Sequence, residues 1–293
     1  SNMILEIWTV LNPIIKSFIY LTALYSIGTV LFKFHFQKFF EEEINFYCKK
    51  IIKNNAFFGI LISIVAFLST AGNLGGDLES IFDLEFIELS LETALGKSCI
   101  LLIIGFIFLN LSYCFQPVLT NIFHVIGTII LLSSFIIVGH SLSNGIYSQI
   151  LLLIHLFCIS YWLGSFLPLR QMCIIKNYKN LHVIAHNFGV YATLYVGLLI
   201  ITGLIFSYLL LGGILPIITS TYGNVLLGKI LLVSILLLLG AINKFKIVPN
   251  LKTKITLGQS ELKRSIDVEL ILTFFILFVT SILTTSLPTP VGM

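Results

Sequence analysis

The sequence predicts an all-α, polytopic membrane protein with eight transmembrane helices. Of its 293 residues, 57% are hydrophobic and only 10% are charged, and the mean hydropathy is +1.04. The apolar residues form continuous runs close to the roughly 20 residues that a spanning helix needs. A membrane β-barrel would instead show short alternating segments. Backbone amides in hydrocarbon must be satisfied within their own segment, so the runs are predicted to be helices embedded in a lipid bilayer.

The predicted spans are separated by polar segments too short to form a sizeable soluble domain, and no nucleic-acid partner is expected. The spans are Ile14–Phe34, Ala56–Ala71, Lys97–Tyr113, Val118–Gly139, Ile150–Leu169, Phe188–Leu211, Val225–Ala241 and Val268–Leu287. The second, third and seventh are short, and we expect their ends to extend into flanking polar residues. Residues 3–293 are treated as one transmembrane domain, and Ser1 and Asn2, before Met3, as an expression remnant.

Lysine and arginine residues are concentrated in three of the connecting segments, which predicts the orientation in the membrane. Of the 17 basic residues, 14 lie between spans one and two, five and six, or seven and eight, counting the span edges. Basic residues favour the cytoplasmic side of a membrane. These three segments are therefore predicted to be cytoplasmic, and both termini periplasmic.

A short internal similarity suggests a duplication of four helices. Span three begins near Gly96-Lys97 and reaches Asn110, while span seven begins near Gly228-Lys229 and reaches Asn243. Two groups of four helices that both start outside would be related by a rotation about the membrane normal, as in parallel transporter repeats. The predicted halves are residues 3–145 and 146–293.

Two histidines flank the polar segment between spans four and five. His140 closes span four, and His155 lies about two turns inside span five. Ionisable side chains at membrane depth are costly, so each is a candidate functional residue. Because residues 141–149 form a short connection, the two helices are expected to be neighbours, with both imidazoles near the outer side. Imidazole suits copper, and zinc nearly as well, so His140 and His155 are the predicted metal ligands.

Three other residues of span five are expected to support the site. Cys158 and Trp162 share the helical face of His155. A thiol is a further copper ligand, although a small buried hydrophobic side chain is the simpler interpretation of Cys158. Trp162 is expected to lie beneath the site, and Gly164 to admit a neighbouring helix at close range.

The remaining histidines are weaker candidates. His124 lies near the inner end of span four, and His182 and His186 have the i, i+4 spacing that can hold a metal. The competing interpretations are an imidazole bonded to a backbone carbonyl or hydroxyl within the bundle, and a solvated interfacial helix for the His182/His186 pair. His35, in the first basic segment, is expected to be solvated.

Four further polar residues lie near predicted helix ends. Lys97 and Lys229 are expected either to extend to the headgroups or, facing inward, to bind an anion. Glu269 and Asn243 are expected near each other at the inner side, where Glu269 would bridge helix ends or, as a second interpretation, relay protons. No Ser-His-Asp set, P-loop or HExxH is present, so the residues do not indicate an enzyme.

The order of several short motifs resembles the CopD family of bacterial copper-resistance and copper-uptake membrane proteins. The motifs are Gly139-His140, the run from His155 through Trp162 and Gly164 to Leu169, Thr221-Tyr222-Gly223 leading to Gly228-Lys229 and Asn243, and Arg264 to Glu269. The resemblance implies copper transport across the inner membrane, in copper uptake, homeostasis and resistance. It also implies a periplasmic copper-binding partner similar to CopC.

Three functions remain open from the sequence. The first is a copper transporter that binds the ion at His140 and His155. The second is a b-type cytochrome, in which His140 and His155 would hold an outer haem, and His124 and His186 an inner one. The third is a scaffold or sensor that binds no metal.

Overall fold

The computed structural model describes residues 2–139 and 145–287, with side chains from Ile7 onward, so His140 lies outside the described residues. The described residues form twelve α-helices and no strand. The helices are α1 Asn2–Phe36, α2 Glu42–Gly75, α3 Leu84–Glu92, α4 Ala94–Leu111, α5 Pro117–Ile136, α6 Gly145–Gly164, α7 Phe166–Ile174, α8 Leu181–Leu211, α9 Pro216–Thr219, α10 Thr221–Ile242, α11 Val248–Thr253 and α12 Ile255–Thr285.

Eight helical segments in the described part of the chain are long and apolar enough to cross a membrane. They are built on α1, α2, α4, α5, α6, α8, α10 and α12, and each contains most or all of one predicted span. The all-α, eight-span prediction is therefore confirmed. The exact boundaries differ: α5 ends at Ile136, three residues before the predicted end at Gly139, and α12 begins at Ile255, thirteen residues before the predicted start.

Ion pairs tie the polar part of α12 to the neighbouring helix α7. The Arg170 Nε atom of α7 lies 2.6 Å from Asp267 Oδ1, and Lys263 Nζ lies 3.0 Å from Asp267 Oδ2. Lys263 and Asp267 are spaced i, i+4, which places them on one face of a helix. Asp267, which directly precedes the predicted apolar run, is thus paired both within α12 and with α7.

Helix α1 packs against both predicted halves. It contacts α2 from the first half, and α6 and α12 from the second. Around this centre, α2 packs on α4, α4 on α5, α6 on α8, and α10 on α12. The main hydrophobic core accordingly contains residues from all eight spanning segments.

The structure leaves the predicted duplication untested. Thr93 caps α4 by accepting a hydrogen bond from the Gly96 amide (3.0 Å), and Ser220 caps α10 through the Gly223 amide (2.9 Å). However, Lys97 is the fourth residue of α4, whereas Lys229 is the ninth of α10. The caps are alike, but the two Gly-Lys pairs occupy different helical turns.

Gly28 of α1 and Gly164 of α6 meet backbone to backbone. A Cβ atom built on Gly164 would collide with the carbonyl carbon, Cα and carbonyl oxygen of Gly28, and one on Gly28 would collide with the backbone of Ser160 and Gly164. Small residues allow membrane helices to approach this closely. The predicted close approach of a helix at Gly164 is confirmed, and its partner is α1.

The glycine crossing predicts an unusually damaging Gly→Ala change. Gly164→Ala should lower the stability of the protein in detergent by at least about 1–3 kcal/mol, because the added methyl group meets backbone that cannot rotate away. Gly197→Ala is the matched control, since a Cβ at Gly197 has nothing within 4 Å. Thermal unfolding of the two purified variants measures the difference, and equal stability would contradict the packing.

Candidate functional site

His155 of α6 points at α8 and is partly buried. Its Nδ1 lies 3.1 Å from the Leu199 carbonyl oxygen and 3.4 Å from Thr202 Oγ1. A carbonyl oxygen only accepts hydrogen bonds, so Nδ1 carries the proton and Nε2 of the neutral ring has a free lone pair. No described residue forms a hydrogen bond with Nε2. This arrangement leaves one ring nitrogen able to bind a ligand.

Two residues of α8, Thr202 and Gly203, determine how the His155 ring is accommodated. A Cβ on Gly203 would lie 2.9 Å from His155 Cε1, so a larger residue there would displace the imidazole from its position against α8. Thr202 donates its hydroxyl proton to the Leu198 carbonyl (2.7 Å) and turns its oxygen towards Nδ1. Sequence reasoning missed both residues. The signal was a Thr-Gly pair inside an apolar run, which is typical of helix contacts in membranes.

The start of α6 lies beside the end of α5, as the short connection predicted. Gln149 Nε2 donates a hydrogen bond to the Ile136 carbonyl oxygen at 2.9 Å. His140 follows α5 but lies outside the described residues, so its approach to His155 stays a prediction. Among the described residues, no group of three or more His, Cys, Asp and Glu side chains is close enough to hold a metal ion.

Cys158 and Trp162, which are predicted to lie around His155, are both buried. Cys158 is a free thiol with 2% of its surface exposed, which fits the simpler interpretation of a small buried side chain. Trp162 is buried one turn further along and lines a cavity. Lys229 of α10 lies close enough to act electrostatically on the His155 ring. Lys97, in contrast, is exposed.

His124 has protein partners at the other end of α5. Its side chain is 2% exposed, and Nε2 lies 3.0 Å from Ser112 Oγ. The edge of the ring packs against Tyr113, whose hydroxyl accepts a hydrogen bond from Lys33 Nζ at 2.8 Å. The predicted alternative of an imidazole bonded to a hydroxyl therefore describes His124.

His182 and His186 stack on one another at the start of α8. Their ring centroids are 5.9 Å apart with an interplanar angle of 14°, and His186 is exposed. With His186 exposed and His124 bonded to Ser112, the arrangement gives the b-type haem alternative no support.

The prediction that His35 is solvated was wrong. Helix α1 continues to Phe36, so His35 remains in the helix and packs against α6 and α8. Its Nδ1 donates to the Leu31 carbonyl (2.8 Å), and its Nε2 accepts from the Tyr195 hydroxyl (3.1 Å). The rings of Tyr161 and Tyr191 meet it edge-on at 5.1 and 5.5 Å.

Glu269 and Asn243 meet, as their expected positions suggested. Asn243 Nδ2 donates to Glu269 Oε2 at 3.0 Å, and both side chains line a cavity of about 300 Å³. Asn243 also begins a π-helical stretch, Asn243–Ile247, that follows α10. The pair joins α10 to α12 and puts a carboxyl group in the wall of an otherwise largely apolar space.

The His155 geometry predicts a specific tautomer. ¹⁵N NMR of histidine-labelled protein at neutral pH should show His155 protonated on Nδ1 and unprotonated on Nε2, because Leu199 offers only an acceptor. His155→Gln should remove that set of signals and so assigns them. A ring protonated only on Nε2 would contradict the hydrogen bond to Leu199.

A comparison with protein-family models found a match to part of the chain. Residues 183–283, from α8 to near the end of α12, match the family model described as copper resistance protein D, CopD. The match supports membership of the CopD family and agrees with the resemblance predicted from the sequence. It covers Thr202, Gly203, Lys229, Asn243 and Glu269, whereas His155 precedes it. No curated protein and no solved structure matched the chain.

Proposed function

Starting from the CopD match and the eight spanning segments, we propose that this multi-pass membrane protein transports copper across the bacterial inner membrane, in copper uptake, homeostasis and resistance. The main support for the proposed site is the hydrogen bonding of the His155 ring. Its Nδ1 proton is held by the Leu199 carbonyl, and its Nε2 is free of described protein partners. Copper entering from the periplasm binds there, together with His140.

The hydrogen bond to Leu199 is of the kind that supports metal-binding histidines. A ligating imidazole usually donates its second ring N–H to a carbonyl or carboxylate, which fixes the tautomer and the ring orientation. The ligating form is the neutral ring, and the carbonyl acceptor selects the tautomer of that ring whose proton is on Nδ1. His155 is therefore oriented for binding before the ion arrives.

The positive charge of Lys229 would favour release of a copper ion from the site. A transport site must bind an ion strongly enough to admit it and weakly enough to let it leave. The Lys229 ammonium group lies within electrostatic range of His155. It would repel a bound cation and shorten the residence time of that cation at the site. We assign Lys229 this role in preference to anion binding, because the neighbouring candidate ligand is an imidazole.

The basic segments support an orientation with both termini in the periplasm, which puts His155 in the periplasmic half. A soluble copper-binding protein similar to CopC would then deliver the ion on this side.

Removing either imidazole tests the site. In proteoliposomes, His140→Ala and His155→Ala should each lower the initial rate of copper uptake by about tenfold or more, the loss typical of disturbing a metal site. Ile154→Ala is the matched control, because Ile154 is an exposed apolar neighbour of His155 on α6. Wild-type rates in both histidine variants, at equal amounts of inserted protein, would refute the site.

Reporter fusions test the orientation. Alkaline phosphatase, which is active only in the periplasm, should be active when fused after Met293 and inactive when inserted after Thr253, at the end of α11. The positive-inside rule gives this expectation, because the segment between α10 and α12 is rich in lysine. The reverse pattern of activity would place His155 in the cytoplasmic half.

A further inference from the structure

A buried carboxyl group at the junction of α10 and α12 has no role in the copper site described above. Glu269 has only 2% of its surface exposed, yet it lies in a segment apolar enough to span a membrane. Neither Arg170 nor Lys263 is its partner, since both bind Asp267. Its hydrogen-bond partner among the described residues is Asn243. A charged carboxylate with one neutral partner is costly at this depth, so Glu269 is a candidate functional residue.

The surroundings of Glu269 contain one other titratable group on the cavity side. Of the side chains from α6, α7, α8, α10, the π-helical stretch, α11 and α12 that line the cavity, only Lys244 is also titratable. The Lys244 Nζ atom donates to Thr193 Oγ1 at 2.6 Å. From α1, the Tyr25 hydroxyl lies within electrostatic range of the carboxyl group. No described salt bridge therefore fixes Glu269 in its charged form.

Asn243 offers a second hydrogen-bonding atom. Its Nδ2 binds the carboxyl group, but its Oδ1 is buried without a hydrogen-bond partner. An unsatisfied buried carbonyl oxygen costs free energy, and such exceptions in native structures call for an explanation. Asn243 also opens the π-helical stretch, a distortion that often marks functional sites.

We propose that Glu269 and Asn243 form a proton-binding site in the wall of the membrane-embedded cavity. The structure shows Asn243 Nδ2 donating to the carboxyl group, an arrangement that suits the charged state. When a proton binds, the carboxyl O–H donates to Asn243 Oδ1 after the amide turns over. The pair is hydrogen-bonded in both states, so the proton can be taken up and released without leaving an unpaired carboxyl group.

The Glu269–Asn243 pair offers too few ligand atoms for a metal ion, but enough for a proton. Hard cations take about six or more oxygen ligands, as in Mg²⁺ and Ca²⁺ sites. Here one carboxyl group and one amide oxygen face a cavity whose walls are otherwise mostly apolar. Copper prefers nitrogen and sulfur donors, and no histidine or cysteine lines this cavity. A proton needs a single acceptor and is matched to the pair.

A proton exchanged at Glu269 would accompany copper movement. This role in transport rests on the proposed function. Proton binding itself does not depend on copper. The experiment is therefore infrared difference spectroscopy of the full-length protein in lipid, without metal, over a series of pH values.

The wild-type protein should show the carbonyl stretch of a protonated carboxyl group in apolar surroundings, with an amplitude that depends on pH. Glu269→Gln should abolish that band. Glu261→Gln, on the same helix but outside the cavity and paired with Asn250, should retain it. A band of unchanged size in Glu269→Gln would overturn the proposal, as would a wild-type protein that shows no such band. Loss of copper transport in the histidine variants, or its absence altogether, would leave this result unaffected.

A second variant keeps the proposal testable if Glu269→Gln folds poorly. Asn243→Leu leaves the carboxyl group in place but removes its partner, and a hydrogen bond to a charged group is among the stronger kinds. The midpoint of the infrared titration should therefore shift by about tenfold or more in proton concentration. An unchanged midpoint in a folded Asn243→Leu protein would show that the pair does not bind the proton together.

Discussion

Polar side chains within the spanning segments must find their partners inside the protein, because hydrocarbon offers no hydrogen bonds. This constraint organises the helix contacts on both sides of α1. His155 binds the Leu199 carbonyl and holds α6 on α8, and the Glu269–Asn243 bond holds α12 on α10. On the other side of α1, Ser112 and His124 close the turn between α4 and α5. Each polar contact thus fixes a helix pair that apolar packing alone would leave free to slide.

Close backbone packing at α1 is the second constraint. With Gly28 against Gly164, α1 and α6 approach without intervening side chains. This position brings the end of α1 into reach of α8, where His35 binds Tyr195. The same arrangement places α1 against α12, where Tyr25 lies within electrostatic range of Glu269. One glycine crossing therefore influences both the aromatic cluster around His35 and the surroundings of the buried carboxyl group.

The two proposed sites use different chemistry at different places in the bundle. Around His155 the free atom is an imidazole nitrogen, which suits a soft or borderline metal ion. Around Glu269 the free atoms are oxygens in a mostly apolar cavity, which suits a proton. Trp162 connects the two regions, since it lies two turns beyond His155 on α6 and also lines the cavity. If copper and a proton move in the same cycle, α6 is the element that both sites share.

The amino-acid sequence by itself determined the number of spanning helices, because continuous apolar runs of this length have no other stable form in a bilayer. It also indicated the meeting of Glu269 with Asn243 and the close helix approach at Gly164. Only the tertiary structure decided which partners the histidines take. Leu199 and Thr202 lie 44 and 47 residues from His155 along the chain. His35 looked solvated but lies among tyrosines from two other helices. Such pairings depend on the rotation and crossing of helices, which apolar periodicity does not encode when nearly every face of a helix is apolar.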